Sequence, residues 1–393
     1  MDRRRFLKAA SGWAGAAACS ALIEGGASLA WAAPVEGHYR NLLVLIELKG
    51  GNDGLNTLVP YADPAYYALR PKLALTRDEV LPLDERAALH PALAPLLPLW
   101  KDGQMAVLQG VGYPDPNLSH FRSIEIWDTA SDSATFLQDG WLTRAFSGTP
   151  TPRAFAADGV IIGTNDLGPL SGGGTRAVAL TNTDQFLRQA KLAVPEGKAR
   201  NKAFAHILKV EADVVQAASH LDGHRVFNTV FPQTGFGNAI RTACQVIANP
   251  AGVAVVRVTL SGFDTHSGQP ATQARLLGDL AQGIDALRSA MIELDRWSDT
   301  LVLTYAEFGR RPRENLSQGT DHGTASVHFA WGGNVRGGLY GAAPALDRLD
   351  GAGNVAYALD FRSVYATVLG QWWDVPAEEA LGGRFKPVPF LRG

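Results

Sequence analysis

The sequence predicts an α/β fold: a mostly parallel sheet with helices on both faces. Two alternating patterns carry that expectation. Short, continuous apolar runs end in glycine or polar residues, and longer stretches between them place apolar side chains every three or four positions. Residues 41–48 (NLLVLIEL) run into Gly50-Gly51 and suit a strand buried on both faces. Residues 105–109, 253–260 (VAVVRVTL) and 301–305 (LVLTY) repeat the pattern, and 159–163, 176–180 and 327–331 are shorter strand candidates. Helical spacing marks 93–100, 118–130, 202–221, 236–249 and 361–373. The clearest helix is 270–297, where Leu277, Leu280, Ile284, Leu287, Met291 and Leu294 form one stripe and Pro270 occupies the first turn. With no internal repeat or long linker, residues 33–393 read as one domain, carrying a less regular insertion at about 140–235.

The N-terminus reads as a targeting segment. Arg3-Arg4-Arg5-Phe6-Leu7-Lys8 matches a twin-arginine pattern, with Asp2 where a hydroxyl residue usually stands. The weakly apolar stretch that follows, roughly fifteen residues, is short of the twenty or so a spanning helix needs. Ala30-Trp31-Ala32 offers a small-x-small cleavage site, so residues 1–32 are expected to be a signal peptide. The expected location is periplasmic or extracellular, reached by export in the folded state.

Composition narrows the chemistry. A net charge of −2 and the absence of a basic stripe beyond the signal segment give no footprint for nucleic acid or an anionic membrane surface, and no later segment suits a stable membrane span. Of two cysteines, only Cys244 lies beyond the signal segment, which rules out an internal disulfide and a thiolate metal site in the processed chain.

Ligands of open parallel sheets sit beyond the carboxyl ends of the strands. There the sequence delivers Asp53 after the first strand, Ser119 after the second, Asp264 and His266 after 253–260, and Glu307 with Arg310 and Arg311 after 301–305. Asp321, His322 and His328 follow shortly after. Mixed oxygen and nitrogen donors without thiolates suit Zn²⁺, Mn²⁺, Mg²⁺ or Fe. Each residue also has a plainer role. Asp53 among glycines suits a turn, and Ser119 suits a helix N-cap. Asp264 and His266 can share an ion or simply hydrogen-bond; Glu307 can pair with Arg310 or Arg311; and His328, in an apolar stretch, suits a core histidine.

Several segments sharpen this reading: LKGGNDGLNTLVP (48–60), QGVGYPDPNLSHFRSIEIW (109–127), GFDTHSGQ (262–269), YAEFGRRPREN (305–315), GTDHGTASVHFAWGG (319–333) and DFRSVYATVLGQWW (360–373). On these the chain resembles the bacterial domain-of-unknown-function family 1501, whose members resemble the alkaline phosphatase and sulfatase superfamily. The resemblance implies an alkaline-phosphatase-like fold and an exported hydrolase or transferase acting on a small anionic phosphate or sulfate ester. It further implies one or two divalent ions, with Asp53 as the first-strand ligand and Ser119 as a metal-activated nucleophile. Asp264 and His266 would ligate the other ion, in D-x-H spacing rather than D-x-x-x-H. The late ligands align in two ways, as Glu307 with His322, or as Asp321-His322 with His328; Phe308 falls where the superfamily has a histidine. Arg122, Arg310 or Arg311 would clamp the anionic oxygens. The rival readings are a non-catalytic exported metal-binding protein serving an envelope partner, and a metal-free serine hydrolase, for which no G-x-S-x-G elbow is present.

Overall fold

The computed structural model describes residues 37–180 and 225–393. The expected signal peptide (1–32), the helix expected at 202–221 and most of the second half of the expected insertion lie outside the described residues. In chain order the strands are β1 (Leu42–Lys49) and three short strands, β2 (Leu58–Val59), β3 (Leu81–Pro82) and β4 (Ala88–Leu89), which form a small sheet of their own. β5 (Met105–Gly112), β6 (Ala157–Ile162), β7 (Ala177–Leu180), β8 (Val253–Ser261), β9 (Thr300–Tyr305) and β10 (Ser326–Trp331) join β1 in the main sheet. β11 (Gly338–Tyr340) and β12 (Leu359–Asp360) add to β5.

The main sheet runs in the order β11-β5-β10-β9-β1-β8-β6-β7. Every pairing in it is parallel except those of β10, which runs antiparallel to both β5 and β9. The segment 306–325 therefore leaves β9 and enters β10 at the same edge of the sheet. That edge holds the carboxyl ends of β1, β5, β8 and β9. Residues 157–162 and 177–180, inside the expected insertion, are regular strands of this sheet.

Both faces of the sheet are covered, as the apolar runs require. Leu42, Val44, Ile46 and Leu48 pack to one side and Leu43 and Leu45 to the other, the period-two alternation of a strand. α1 (Pro64–Leu69) packs against the small sheet. On the first side lie α2 (Leu97–Lys101), and beyond it in sequence two longer helices. On the second lie α3 (His120–Thr129) and α4 (Trp141–Gly148). The longer pair are α5 (Gly235–Ile247) and α6 (Gln269–Glu293), and the chain closes with α7 (Phe361–Thr367) and α8 (Ala377–Leu381) on the second side.

Departures from the expected boundaries have local causes. α6 buries Leu277, Leu280, Ile284, Leu287 and Met291, but ends before 297 because Asp295 takes a left-handed conformation (φ 53°). Residues 93–100 divide into a 3-10 turn (Pro91–Leu96) and α2, since Pro95 and Pro98 lack the amides a continuous helix needs. After α7 the chain widens into a π-helical turn, Val368–Trp372. The indoles of Trp372 and Trp373 donate to the carbonyls of Leu42 and Asn41, anchoring this end to the start of β1.

Two charges inside the apolar runs meet within the sheet. Arg257 Nη2 donates to Glu47 Oε2 at 2.8 Å and Arg257 Nε to the Tyr305 hydroxyl at 2.7 Å, all three side chains being buried. Asp128, from α3, is buried beside this pair. Burial, only partly offset by Arg257, pushes its carboxyl well above the ordinary range. The folded protein thus keeps a proton that the unfolded chain, with a carboxyl pKa near about 3.9, releases. Stability contributed by this group is present below the unfolded pKa and lost as pH rises toward the folded one. Asp128→Asn, which cannot titrate, is expected to gain in urea midpoint relative to the wild type between pH 4 and pH 7. A variant destabilised equally at both pH values would contradict this.

Candidate metal centre

The centre is built where four strand ends converge. β1 ends in Gly50 and Gly51, both at positive φ (114° and 80°). A Cβ on Gly50 would lie 2.4 Å from the Asp264 amide, and one on Gly51 would lie 2.5 Å from the Phe308 ring. Only glycine lets the loops after β8 and β9 approach β1 this closely. β5 leads through residues 113–119 to His120 at the start of α3, β8 leads to Asp264 and His266, and the segment between β9 and β10 brings Glu307, Arg310, Asp321 and His322.

Three imidazoles turn one nitrogen each toward the Asp264 carboxylate. His266 Nε2 lies 3.0 Å and His322 Nε2 3.3 Å from Asp264 Oδ1, and His120 Nε2 lies 3.5 Å from Oδ2. The opposite nitrogens face acceptors. His322 Nδ1 meets the Leu118 carbonyl at 2.8 Å, His120 Nδ1 meets Glu307 Oε1 at 2.9 Å, and His266 Nδ1 meets Asp321 Oδ1 at 3.3 Å. A carbonyl can only accept, so His322 carries its proton on Nδ1. Burial, reinforced by Arg310, holds this imidazole below its ordinary pKa and leaves Nε2 as a lone pair. The Glu307 carboxylate behind His120 favours the same tautomer there, whereas His266 faces a carboxylate from both nitrogens, Asp264 at 3.0 Å and Asp321 at 3.3 Å.

The consequence is electrostatic. His266 Nε2 and His322 Nε2 stand 3.1 Å apart, both against a carboxylate oxygen. Lone pairs crowded this closely are satisfied by a proton on His266 Nε2 or by a cation among them. His120, Asp264 and His322 offer ligand atoms within 4.8 Å of one another, and His266 joins them through its contacts with Asp264 and His322. His120, Asp264 and His322, with His266 beside them, are a donor set that could hold Zn²⁺ or a similar divalent ion. Burial alone would raise the Asp264 carboxyl, but the hydrogen bond and charge of Arg310 outweigh it and hold the group ionised. Asn315, foremost, keeps Asp321 low as well.

The expected site residues thus separate into groups. Asp264, His266 and His322 are brought together as inward donors. Glu307 and Asp321 stand one step back, holding His120 and His266, and Gly50 N–H also donates to Glu307 Oε1 at 2.9 Å. Ser119 is exposed at the N-cap of α3 and its side chain makes no capping bond; the preceding carbonyl, of Leu118, is the one that holds His322.

Four of the expected site residues stand outside this cluster. Asp53 is fully buried and held by Arg70 through two bonds (2.6 and 3.0 Å) and by Gln269, so its charge is already neutralised. His328 is buried on β10 near Thr304 and Trp127, and burial pushes its pKa down to about 3: a neutral core histidine. Arg310 is buried, its donors all directed at Gly50, Gly51, Phe263, Asp264 and Thr320, so it cannot clamp a substrate. Arg122 is engaged by the carbonyls of Asp132, Ser133 and Thr135 and by Glu125.

His120, at the start of α3, joins the cluster without being among the expected ligands. Its only sequence signal was its place beside Ser119 at the helix start. Phe308 forms the floor, its ring 4.3 Å from that of His322 and 4.9 Å from that of His120.

Fold and site together define an α/β protein with an imidazole–carboxylate cluster, a candidate metal centre, at the carboxyl edge of its sheet. The chain belongs to the family described as protein of unknown function (DUF1501), whose model matches residues 100–379. No curated protein matches it. Among solved structures it is similar to the PsFucS1 sulfatase from Pseudoalteromonas sp. (10% identity, TM-score 0.37, covering 90% of this chain and 73% of that one). It is also similar to the alkaline phosphatase from the Antarctic bacterium TAB5 (10%, 0.37, 76% and 93%). A third is the C-terminal periplasmic domain of EcEptC from Escherichia coli, in complex with Zn (10%, 0.38, 74% and 72%).

The outer hydrogen bonds generate a test. Asn315 Nδ2 donates to the His266 carbonyl (2.9 Å) and to Asp321 Oδ1 (3.2 Å) without being an inward donor itself. Asn315→Ala is expected to weaken zinc binding by roughly 10–100-fold. Competition with a chromogenic chelator reads the affinity, and circular dichroism checks that the fold is kept. Unchanged affinity would show that these outer contacts do not orient the donors.

Proposed function

We propose that the protein is an exported metal-dependent hydrolase or transferase of phosphate or sulfate esters, working with a single divalent ion. The observation that carries the reading is the convergence of His120, His266 and His322 Nε2 on Asp264, each imidazole pinned from behind. The choice of ester chemistry is supported by the family resemblance of the segments around Ser119, Asp264 and His322. Export is supported by the twin-arginine pattern. No helix among the described residues is long and apolar enough to cross a membrane.

A divalent ion held by this set would supply Lewis-acid charge beside the ester. The chain's own groups account for the remaining requirements. The Ser119 hydroxyl, exposed and uncommitted, is the nucleophile toward phosphorus or sulfur. The amides of His120, Phe121 and Arg122 open α3 without main-chain partners and face the anionic oxygens from its N-terminus. Arg311, half-buried, makes a 3.4 Å contact from Nε to the His322 carbonyl, lies close enough to Asp321 to lower its carboxyl pKa, and supplies the remaining positive charge. Glu307 keeps His120 oriented as a donor.

Ser119→Ala is expected to cut turnover of an aryl phosphate or aryl sulfate by on the order of a thousandfold, while the rise in melting temperature on adding zinc stays at its wild-type size. If the wild type gains stability from zinc yet turns over no phosphate monoester, diester or sulfate, the protein is a metal-binding module and the hydrolase reading fails.

A further inference from the structure

The Ser119 hydroxyl stands at the end of an exposed stretch of chain. Residues 113–119 cross from β5 to α3, and Pro114, Asp115 and Pro116 are all exposed there, Asp115 at φ 50°. Neither proline has an N–H, so few main-chain bonds can fix the segment. Tyr113 supplies a buried tie. Its ring lies 5.7 Å from that of Phe361, and its hydroxyl accepts the Asn117 N–H at 3.1 Å. The hydroxyl of Ser123, also buried, donates to the Glu307 carbonyl, which can only accept. Ser123 has no second hydroxyl proton, so in the 2.8 Å bond between the two hydroxyls Tyr113 is the donor. The bonds therefore run one way, from Asn117 through Tyr113 and Ser123 to the end of β9, and each polarises the next. Ser119 is held at both of its main-chain groups by members of this chain. Its N–H donates to Asn117 Oδ1 at 2.8 Å, and its carbonyl accepts the Ser123 N–H at 2.8 Å.

We propose that Tyr113 is a positioning residue whose hydroxyl sets the place of Ser119 relative to Glu307, and so relative to His120. This rests on the ester reading above and names the group that aims its nucleophile. Glu307 is the common reference: its carbonyl anchors the chain from Tyr113, and its carboxylate holds His120 Nδ1 at 2.9 Å. Nucleophile and imidazole are thus registered to one buried residue. Without the Tyr113 hydroxyl, Asn117 loses its tie to β9 and Ser119 moves with it. Attack is sensitive to such a shift, because the reacting atoms must meet at about 3–3.5 Å and in line.

The test uses the full chain loaded with zinc and the Tyr113→Phe variant, which keeps the ring and removes the hydroxyl. Turnover of an aryl phosphate is expected to fall about thirtyfold in kcat, with KM unchanged within about twofold, because the ester still binds but the attacking oxygen is misplaced. In the Ser119→Ala background the same substitution is expected to leave the residual turnover unchanged, since the group it positions is gone. An equal loss in both backgrounds would overturn the proposal by showing a general structural role. So would a loss carried by KM alone, or no loss from an active wild type. Amide hydrogen exchange gives a readout that needs no turnover. At Ser119 it is expected to quicken at least about tenfold in Tyr113→Phe, while amides in the middle of β5 stay protected. Exchange at Ser119 at the wild-type rate would also overturn the proposal. Should Tyr113→Phe fail to fold, Ser123→Ala cuts the same chain one bond further on and is held to the same outcomes. A wild type that turns over no ester, with Ser119 exchange quickened in the variant, would instead sink the ester reading and leave Tyr113 in its positioning role.

Discussion

One buried guanidinium holds the carboxyl edge of the sheet together. Arg310 donates to the carbonyls of Gly50 and Gly51 after β1, of Phe263 after β8 and of Thr320 before β10, and to the Asp264 carboxylate. Main-chain carbonyls in tight loops turn away from regular secondary structure and need donors once buried. A planar fork with five N–H groups can serve several at once; a lysine ammonium would offer three donors from one point. Because these loops are fixed, Asp264 has a defined place, and the imidazoles can be aimed at it. An arginine expected to bind substrate from its position in the sequence instead makes the site possible from underneath.

The same accounting of charge supports the proposal of one ion rather than two. Asp53, the acidic residue delivered by β1, is matched by Arg70, and the space beside Gly51 is filled by the Phe308 ring. Both groups are buried, so a second cation near Asp53 would have to displace a guanidinium already paired in a low-dielectric setting, at a cost of several kcal/mol. The positive charge that Asp53 needs is covalently part of the chain. What remains open to solvent is the cluster around Asp264, itself about half exposed, which is where the proposed ion and substrate would meet.

Much of the scaffold was legible in the sequence because periodicity reports burial directly. The runs at 41–48 and 253–260 and the stripe along α6 could satisfy their apolar surface in few other ways. Direction within a sheet leaves no such mark, and the antiparallel course of β10 could not be read from SVHFAW. The candidate donors were legible as a set of strand-end residues, but not how each was engaged. Asp53 and Arg70 are 17 positions apart, and nothing local says that they meet. Whether Glu307 faces the ion or stands behind an imidazole depends on where His120 lands, and that depends on how residues 113–119 cross from β5 to α3. His120 went unmarked because the neighbouring serine offered the more familiar chemistry.

The way the donors are held bears on what the ion is for. In small zinc modules the ion itself gathers the ligands, and folding and binding are one event. Here each imidazole is oriented by a partner other than the ion: the Leu118 carbonyl, Glu307 or Asp321. The loops are tied by Arg310, and the apolar clusters on the two faces of the sheet close independently of the site. An ion arriving at such a cluster has little chain left to order, so its binding energy is not consumed in folding. It relieves repulsion among donors already in position. Under the proposed function, such an arrangement suits work at the exposed face, because each donor is already oriented by a protein partner.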